Sequence, residues 1–139
     1  AYRLGKHIVN SPLVKTAIYG NDPNVGRLLA ACGDALNTWD TNGRIDTGPL
    51  RITIAGEEVY REGAFQLDGD REDLLSEALN AAAMDPHLRG YPQETGVVSI
   101  QFDFAAGAND TDGGRANTQR VIGSDLSYEY VRENADYRS

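Results

Sequence analysis

The sequence is poor in the residues from which self-sufficient sites are usually built. Its 139 residues hold one cysteine, one methionine, one tryptophan and two histidines. A lone cysteine, Cys32, excludes an internal disulfide framework. Zinc wants several Cys, His or carboxylate ligands at short spacing, and no such cluster is present, so neither metal nor cofactor is expected. No apolar run approaches the ~18–20 residues needed to span a bilayer. No secretory or transit segment is recognisable, and the expected address is the cytoplasm. Positive charge is scarce as well. Thirteen Lys and Arg stand against 21 Asp and Glu, for a net charge of −8. That field repels phosphate and argues against nucleic acid or an anionic membrane as partner. Glycine-rich phosphate loops of the Walker or dinucleotide type are also missing.

What remains reads as a folded chain. Hydrophobic residues make up 40% and the mean hydropathy is −0.47. A chain of this length fits one domain, residues 1–139, able to bury about two-thirds of the surface its unfolded form exposes. There are no repeats and no low-complexity linker. The opening AYRLGKHIVN reads as the middle of a packed element, which suggests a processed chain or a fragment.

Residues 2–9 place Leu4, His7 and Ile8 at helical spacing, although Gly5 weakens the pattern. Ser11-Pro12 predicts an N-cap followed by proline at the first helical position, with Gly20 as a stop; the β-branched content of this stretch leaves a strand open. The next helix is the clearest. Asp22 is expected to cap it, Val25, Leu28, Leu29 and Cys32 form one apolar stripe, and Gly33 is expected to end it. Residues 40–49 are dense in turn formers. Leu50, Ile52 and Ile54 alternate with Arg51 and Thr53 as in a half-buried strand, with Gly56 at a turn and residues 59–61 returning. Asp70 is expected to cap a second clear helix, running to about Ala83 and burying Leu74, Leu75, Ala78, Leu79 and Ala82. Val98, Ile100, Phe102 and Phe104 predict another strand, residues 115–122 its returning partner, and residues 125–131 a short terminal helix or turn. The fold class is α+β or layered α/β, with a mostly antiparallel sheet and packed helices.

Most candidate chemistry fails on its own terms. His7 sits on an apolar helical face, where a core or interface role is expected, and His87 follows Asp85-Pro86 in a loop. Asp110-x-Asp112 and Asp40-Thr41-Asn42-Gly43 resemble calcium-loop openings, yet Val121 and Arg51 stand where the twelfth-position glutamate belongs; both read as turns. The triplet Asn109-Asp110-Thr111 has no meaning as a glycosylation site without a secretory signal. The segment from Asp22 to Arg27, beside Gly20 and Lys15, has two readings: a carboxylate-binding helix start, or a start already occupied by its own cap. At the chain end, the amide of Asn134 and the hydroxyl of Ser139 suit the α-carboxylate and α-amine of an amino acid. The competing reading is that Tyr128, Tyr130 and Tyr137 simply pin the chain end to the core.

Two segments are far more specific. Residues 11–33, SPLVKTAIYGNDPNVGRLLAACG, resemble the S-P-L-V-K-T-A…G-x-D-P-N-W-G-R signature of the ornithine acetyltransferase family. Residues 124–139, SDLSYEYVRENADYRS, resemble its carboxyl terminus, close to C-D-L-T-x-D-Y-V-R-I-N-A-D-Y-R-T. The resemblance implies part of an N-terminal-nucleophile-like fold, in which a precursor cuts itself before a threonine whose new amine activates its own hydroxyl. It implies acetyl transfer from N-acetylornithine to glutamate through an acyl-threonine, in arginine biosynthesis. It also implies an α2β2 heterotetramer, of which this chain is the C-terminal portion of the β subunit. In the family the Asn and the last residue of N-A-D-Y-R-T bind substrate, and those positions here are Asn134 and Ser139. No nucleophile or oxyanion-hole motif is matched, and Ala1 has neither hydroxyl nor thiol, so the reacting threonine is expected upstream. Val25 replaces the signature Trp and Glu133 the usual Ile. Those departures keep open a paralogue acting on other amines, or a noncatalytic domain retaining the fold.

Overall fold

A computed structural model describes residues 1–83, 96–104 and 118–135. The chain divides into two compact units, one of Ala1–Trp39 with Thr118–Ser139 and one of Asp40–Asn117.

The first unit begins with three helices, α1 (Tyr2–Asn10), α2 (Pro12–Tyr19) and α3 (Val25–Trp39). Ser11 serves two of them. Its extended backbone (φ −65°, ψ 120°) lets its N–H close α1 on Ile8 O while its carbonyl opens α2 from Lys15 N. Pro12 then starts α2 where no N–H is needed, so the sequence places this boundary correctly and the strand alternative falls. The core of this unit is Ile8, Val14, Ala17, Val25, Leu28, Ala31, Cys32 and Ala35.

The α2–α3 turn differs from expectation. Asp22 N–H reaches back to Ala17 O at 2.9 Å and Asn21 N–H to Ile18 O at 3.1 Å, with Asn21 at φ 54°. This is a Schellman closure of α2, in which Asn21 rather than Gly20 takes the left-handed position. Asp22 is therefore committed to ending α2 and does not cap α3. That role passes to Asn24, whose Oδ1 accepts from Arg27 N at 3.0 Å and whose carbonyl accepts from Leu28 N. Nor does Gly33 end α3. The helix runs through it to Trp39, because Gly33 faces solvent while Ala35, fully buried, continues the apolar stripe.

The same unit holds a returning strap, residues 118–127, that leads into α5 (Tyr128–Ala135). The part of the predicted partner strand that the structure describes, residues 118–122, is not strand. It lies along helices instead, and two glycines make the approach possible. A Cβ on Gly5 would fall 2.7 Å from Val121 Cγ2, and one on Gly123 would fall 2.6 Å from Val9 Cβ. Gly5, which weakened the helical pattern, is thus the dent in α1 that receives the strap.

The second unit is a four-stranded open antiparallel sheet in the order β3-β2-β1-β4, built from β1 (Arg51–Ile54), β2 (Glu57–Arg61), β3 (Ala64–Phe65) and β4 (Ile100–Asp103), with the helix α4 (Gly69–Ala82). Two-residue turns at Ala55-Gly56 (φ 50°, 91°) and Glu62-Gly63 (φ 48°, 87°) join the first three strands, the twist that suits right-handed hairpins. Alternation along β1 sends Ile52 and Ile54 inward, both at 0% exposure. Arg51 and Arg61 stand opposite each other, and Glu58 reconciles them with contacts of 3.0 and 2.8 Å. The cap of α4 is Asp68, accepting from Arg71 N at 2.9 Å, two residues before the expected Asp70. Only Leu75 and Leu79 of the expected face are buried; Leu74 and Ala78 are exposed and Ala82 is half-buried. The expected mixture of helices and antiparallel sheet stands.

Candidate functional site

The elements of the first unit bring the two specific sequence segments together. The strap crosses α2 at Lys15, whose Nζ donates to Ser124 Oγ at 3.2 Å and whose carbonyl accepts from Leu126 N–H at 3.4 Å. One helical turn further on, Tyr19 Oη donates to Glu129 Oε2 at 3.2 Å. That bond holds the Tyr19 phenol above its ordinary range; Glu129 is lowered, first by its own backbone N–H and then by Tyr19. Ser127 caps the helix that follows, its Oγ accepting from Tyr130 N at 3.1 Å. Helix α2, through Lys15 and Tyr19, is thus the bed on which residues 124–129 lie.

The polar groups of residues 22–27 are occupied by structure. Arg27 reaches back to α2, donating from Nη1 to Leu13 O at 3.2 Å and to Thr16 Oγ1 at 3.3 Å. Asp22 Oδ2 accepts from Asn24 Nδ2 at 3.0 Å. The start of α3 is capped from within the chain, but by Asn24 and not by the expected Asp22. Val25, the departure from the signature Trp, is 3% exposed and belongs to the core.

His7, expected in a core or interface role, is half-buried on α1 and not in the core. Its Nε2 lies 2.8 Å from Asp34 Oδ2, and its ring meets Trp39 edge-on at 5.2 Å. These three residues, with Tyr2, Arg3 and Lys6, line an open groove of about 600 Å³ beside α1. Cys32 is buried, and desolvation pushes its thiol up to about 11, which makes it a packing residue rather than a nucleophile. Asp40 is a turn, as expected. Its carboxylate accepts from Arg44 N and Ile45 N at 2.9 and 2.7 Å, and those bonds lower its pKa. No group of metal-ligating side chains occurs among the described residues, and no described helix is long and apolar enough to cross a membrane.

Over residues 1–139 the sequence matches the model of the ArgJ family. The chain belongs to the ArgJ family. It is 37% identical over 134 residues to the arginine biosynthesis bifunctional protein ArgJ of Rhodococcoides fascians, covering 96% of this chain and 27% of that protein. It is 39% identical over 137 residues to the glutamate N-acetyltransferase Oat2 of Streptomyces clavuligerus, covering 99% of this chain and 29% of that protein. The chain therefore spans less than a third of the length of these relatives. The fold is similar to the crystal structure of ArgJ from Bacillus halodurans, with a TM-score of 0.55 and 25% identity over 97% of this chain and 50% of that one.

Of the two candidate residues at the ArgJ-like terminus, Asn134 lies in the last turn of α5, exposed, with Nδ2 donating to Tyr130 O at 2.8 Å. Ser139 lies outside the described residues, as do His87 and Asp110. Sequence reasoning missed Lys15 and Tyr19 as partners of the terminal segment. Their place inside the signature was visible, but which distant residues they would meet depends on the strap.

Proposed function

We propose that this chain is the C-terminal part of an acetyltransferase that moves acetyl from N-acetylornithine to glutamate in arginine biosynthesis. Membership of the ArgJ family, with relatives named for arginine biosynthesis and glutamate N-acetyltransfer, supports the reaction class. One observation supports the role of this segment: residues 124–129, which lead toward the chain end, lie on the signature helix α2 through Lys15–Ser124 and Tyr19–Glu129. In this reading the chain supplies a wall of the substrate site and not the reacting group. Asn134 offers a carboxamide and Ser139 a hydroxyl to the α-carboxylate and α-amine of the amino acid.

The nucleophile is a threonine elsewhere in the complete protein, freed by self-cleavage and activated by its own amine. It attacks the acetyl carbonyl of N-acetylornithine and releases ornithine. The α-amine of glutamate then attacks the acyl-threonine and regenerates the hydroxyl. Acetyl carriage on the protein needs no redox group. Assembly with the α chain and the rest of the β chain as an α2β2 heterotetramer in the cytoplasm belongs to the same proposal. The test is acetyl transfer by the complete protein, with N-acetylornithine as donor and glutamate as acceptor. Turnover on that pair is expected; its absence, with the protein folded and self-cleaved, would overturn the reading.

A further inference from the structure

Helix α5 is held in an unusual way. No side chain described in it is buried, so no apolar face locks it to the rest of its unit. Its cap and its Arg132–Glu133 pair are local. Among the described residues, the side-chain hydrogen bonding of α5 to another part of the unit converges on Tyr19, whose Oη donates to Glu129 Oε2 at 3.2 Å and faces the Tyr128 backbone N–H. Just before it, the strap is fixed by Gly123 against Val9 and by Ser124 and Leu126 on Lys15. The Tyr19–Glu129 bond ties the first turn of α5 to α2, just beyond the anchors of the strap. Asn134 sits one and a half turns beyond Glu129, with Nδ2 tied to Tyr130 O and Oδ1 accepting from no other described residue.

We propose that Tyr19 is a positioning residue for the substrate-binding end of this chain. Its hydroxyl, through Glu129, sets the orientation of α5 and hence of the Asn134 carboxamide. The direction of the bond suits neutral pH, with the phenol as donor and the carboxylate as acceptor. The inference rests on the reading that Asn134 contacts substrate.

The experiment compares Tyr19→Phe, Glu129→Ala, Glu129→Gln and Asn134→Ala in the complete protein, with N-acetylornithine varied at saturating glutamate. Tyr19→Phe and Glu129→Ala are expected to raise KM roughly threefold or more, the scale of one lost solvent-exposed hydrogen bond, with kcat little changed. Glu129→Gln keeps an acceptor oxygen and should restore KM close to wild type. Tyr19→Phe should add nothing to Asn134→Ala, because both remove the same contact. A rise in KM for Asn134→Ala with none for Tyr19→Phe would overturn the clasp alone. No rise for Asn134→Ala would overturn the substrate contact, and the clasp with it. A fall in kcat for Tyr19→Phe without change in KM would mark it as structural support elsewhere and also refute the proposal.

Discussion

Gly5 and Gly33 allow a paired test of the strap. Both lie inside helices, α1 and α3, so replacing either with alanine brings the same intrinsic gain of about 0.8–1 kcal/mol. Their surroundings differ. A Cβ at Gly33 meets nothing within 4 Å, whereas one at Gly5 lies 2.7 Å from Val121 Cγ2 and 3.3 Å from its Cβ. Val121 is β-branched, so Cγ2 cannot retreat without a change of rotamer or a shift of the strap backbone. Overpacking of this kind costs about 1–3 kcal/mol. Gly33→Ala should therefore stabilise by up to about 1 kcal/mol, while Gly5→Ala should be neutral or destabilise by up to about 2 kcal/mol. Denaturant unfolding of both variants measures the difference. Hydrogen exchange over residues 118–127 locates it, since a displaced strap frees the Leu126 N–H from Lys15 O. Equal stabilisation by the two substitutions, with unchanged exchange in the strap, would refute the placement of residues 118–127 on α1.

Other expectations follow from the same geometry. Asn24→Ala should cost about 0.5–2 kcal/mol in an unfolding titration, as the loss of an N-cap, and Asp22→Ala should cost less. An equal or larger loss at Asp22 would reinstate it as the cap. Cys32 should resist a thiol reagent at pH 8 until denaturant is added, since its folded thiol titrates near 11 against an ordinary value of 9.0. Because the folded value is the higher one, the thiol's contribution to stability is complete below pH 9 and is lost as pH rises toward 11. Rapid labelling of the native protein would contradict its burial.

The parts of the fold legible in the sequence are those set by local periodicity. Strand β1 follows from the alternation of Ile52 and Ile54, and α3 from the Val25–Leu28–Cys32 stripe. The misplaced caps have one cause. A side chain suited to capping takes that role only if its backbone is free, and Asp22 was already closing α2. Asp68 displaced Asp70 because Arg71 N–H, three residues on, is the donor it meets. Residues 118–122 end in the β-branched pair Val121-Ile122, which suits a strand, but Val121 lies against Gly5 on a helix, which no local pattern reveals. For the site, Asn134 and Ser139 came from the resemblance, and composition alone would have left them as an ordinary chain end. The link from Lys15 and Tyr19 to the strap required the three-dimensional fold.

The central claim is that the terminal segment of this chain forms a wall of an amino-acid site whose nucleophile lies elsewhere in the protein. Steady-state kinetics of Asn134→Ala in the complete protein, read beside its self-cleavage on a gel, test it most directly. The account predicts intact self-cleavage with a raised KM for N-acetylornithine. Normal cleavage with kinetics identical to wild type would contradict it.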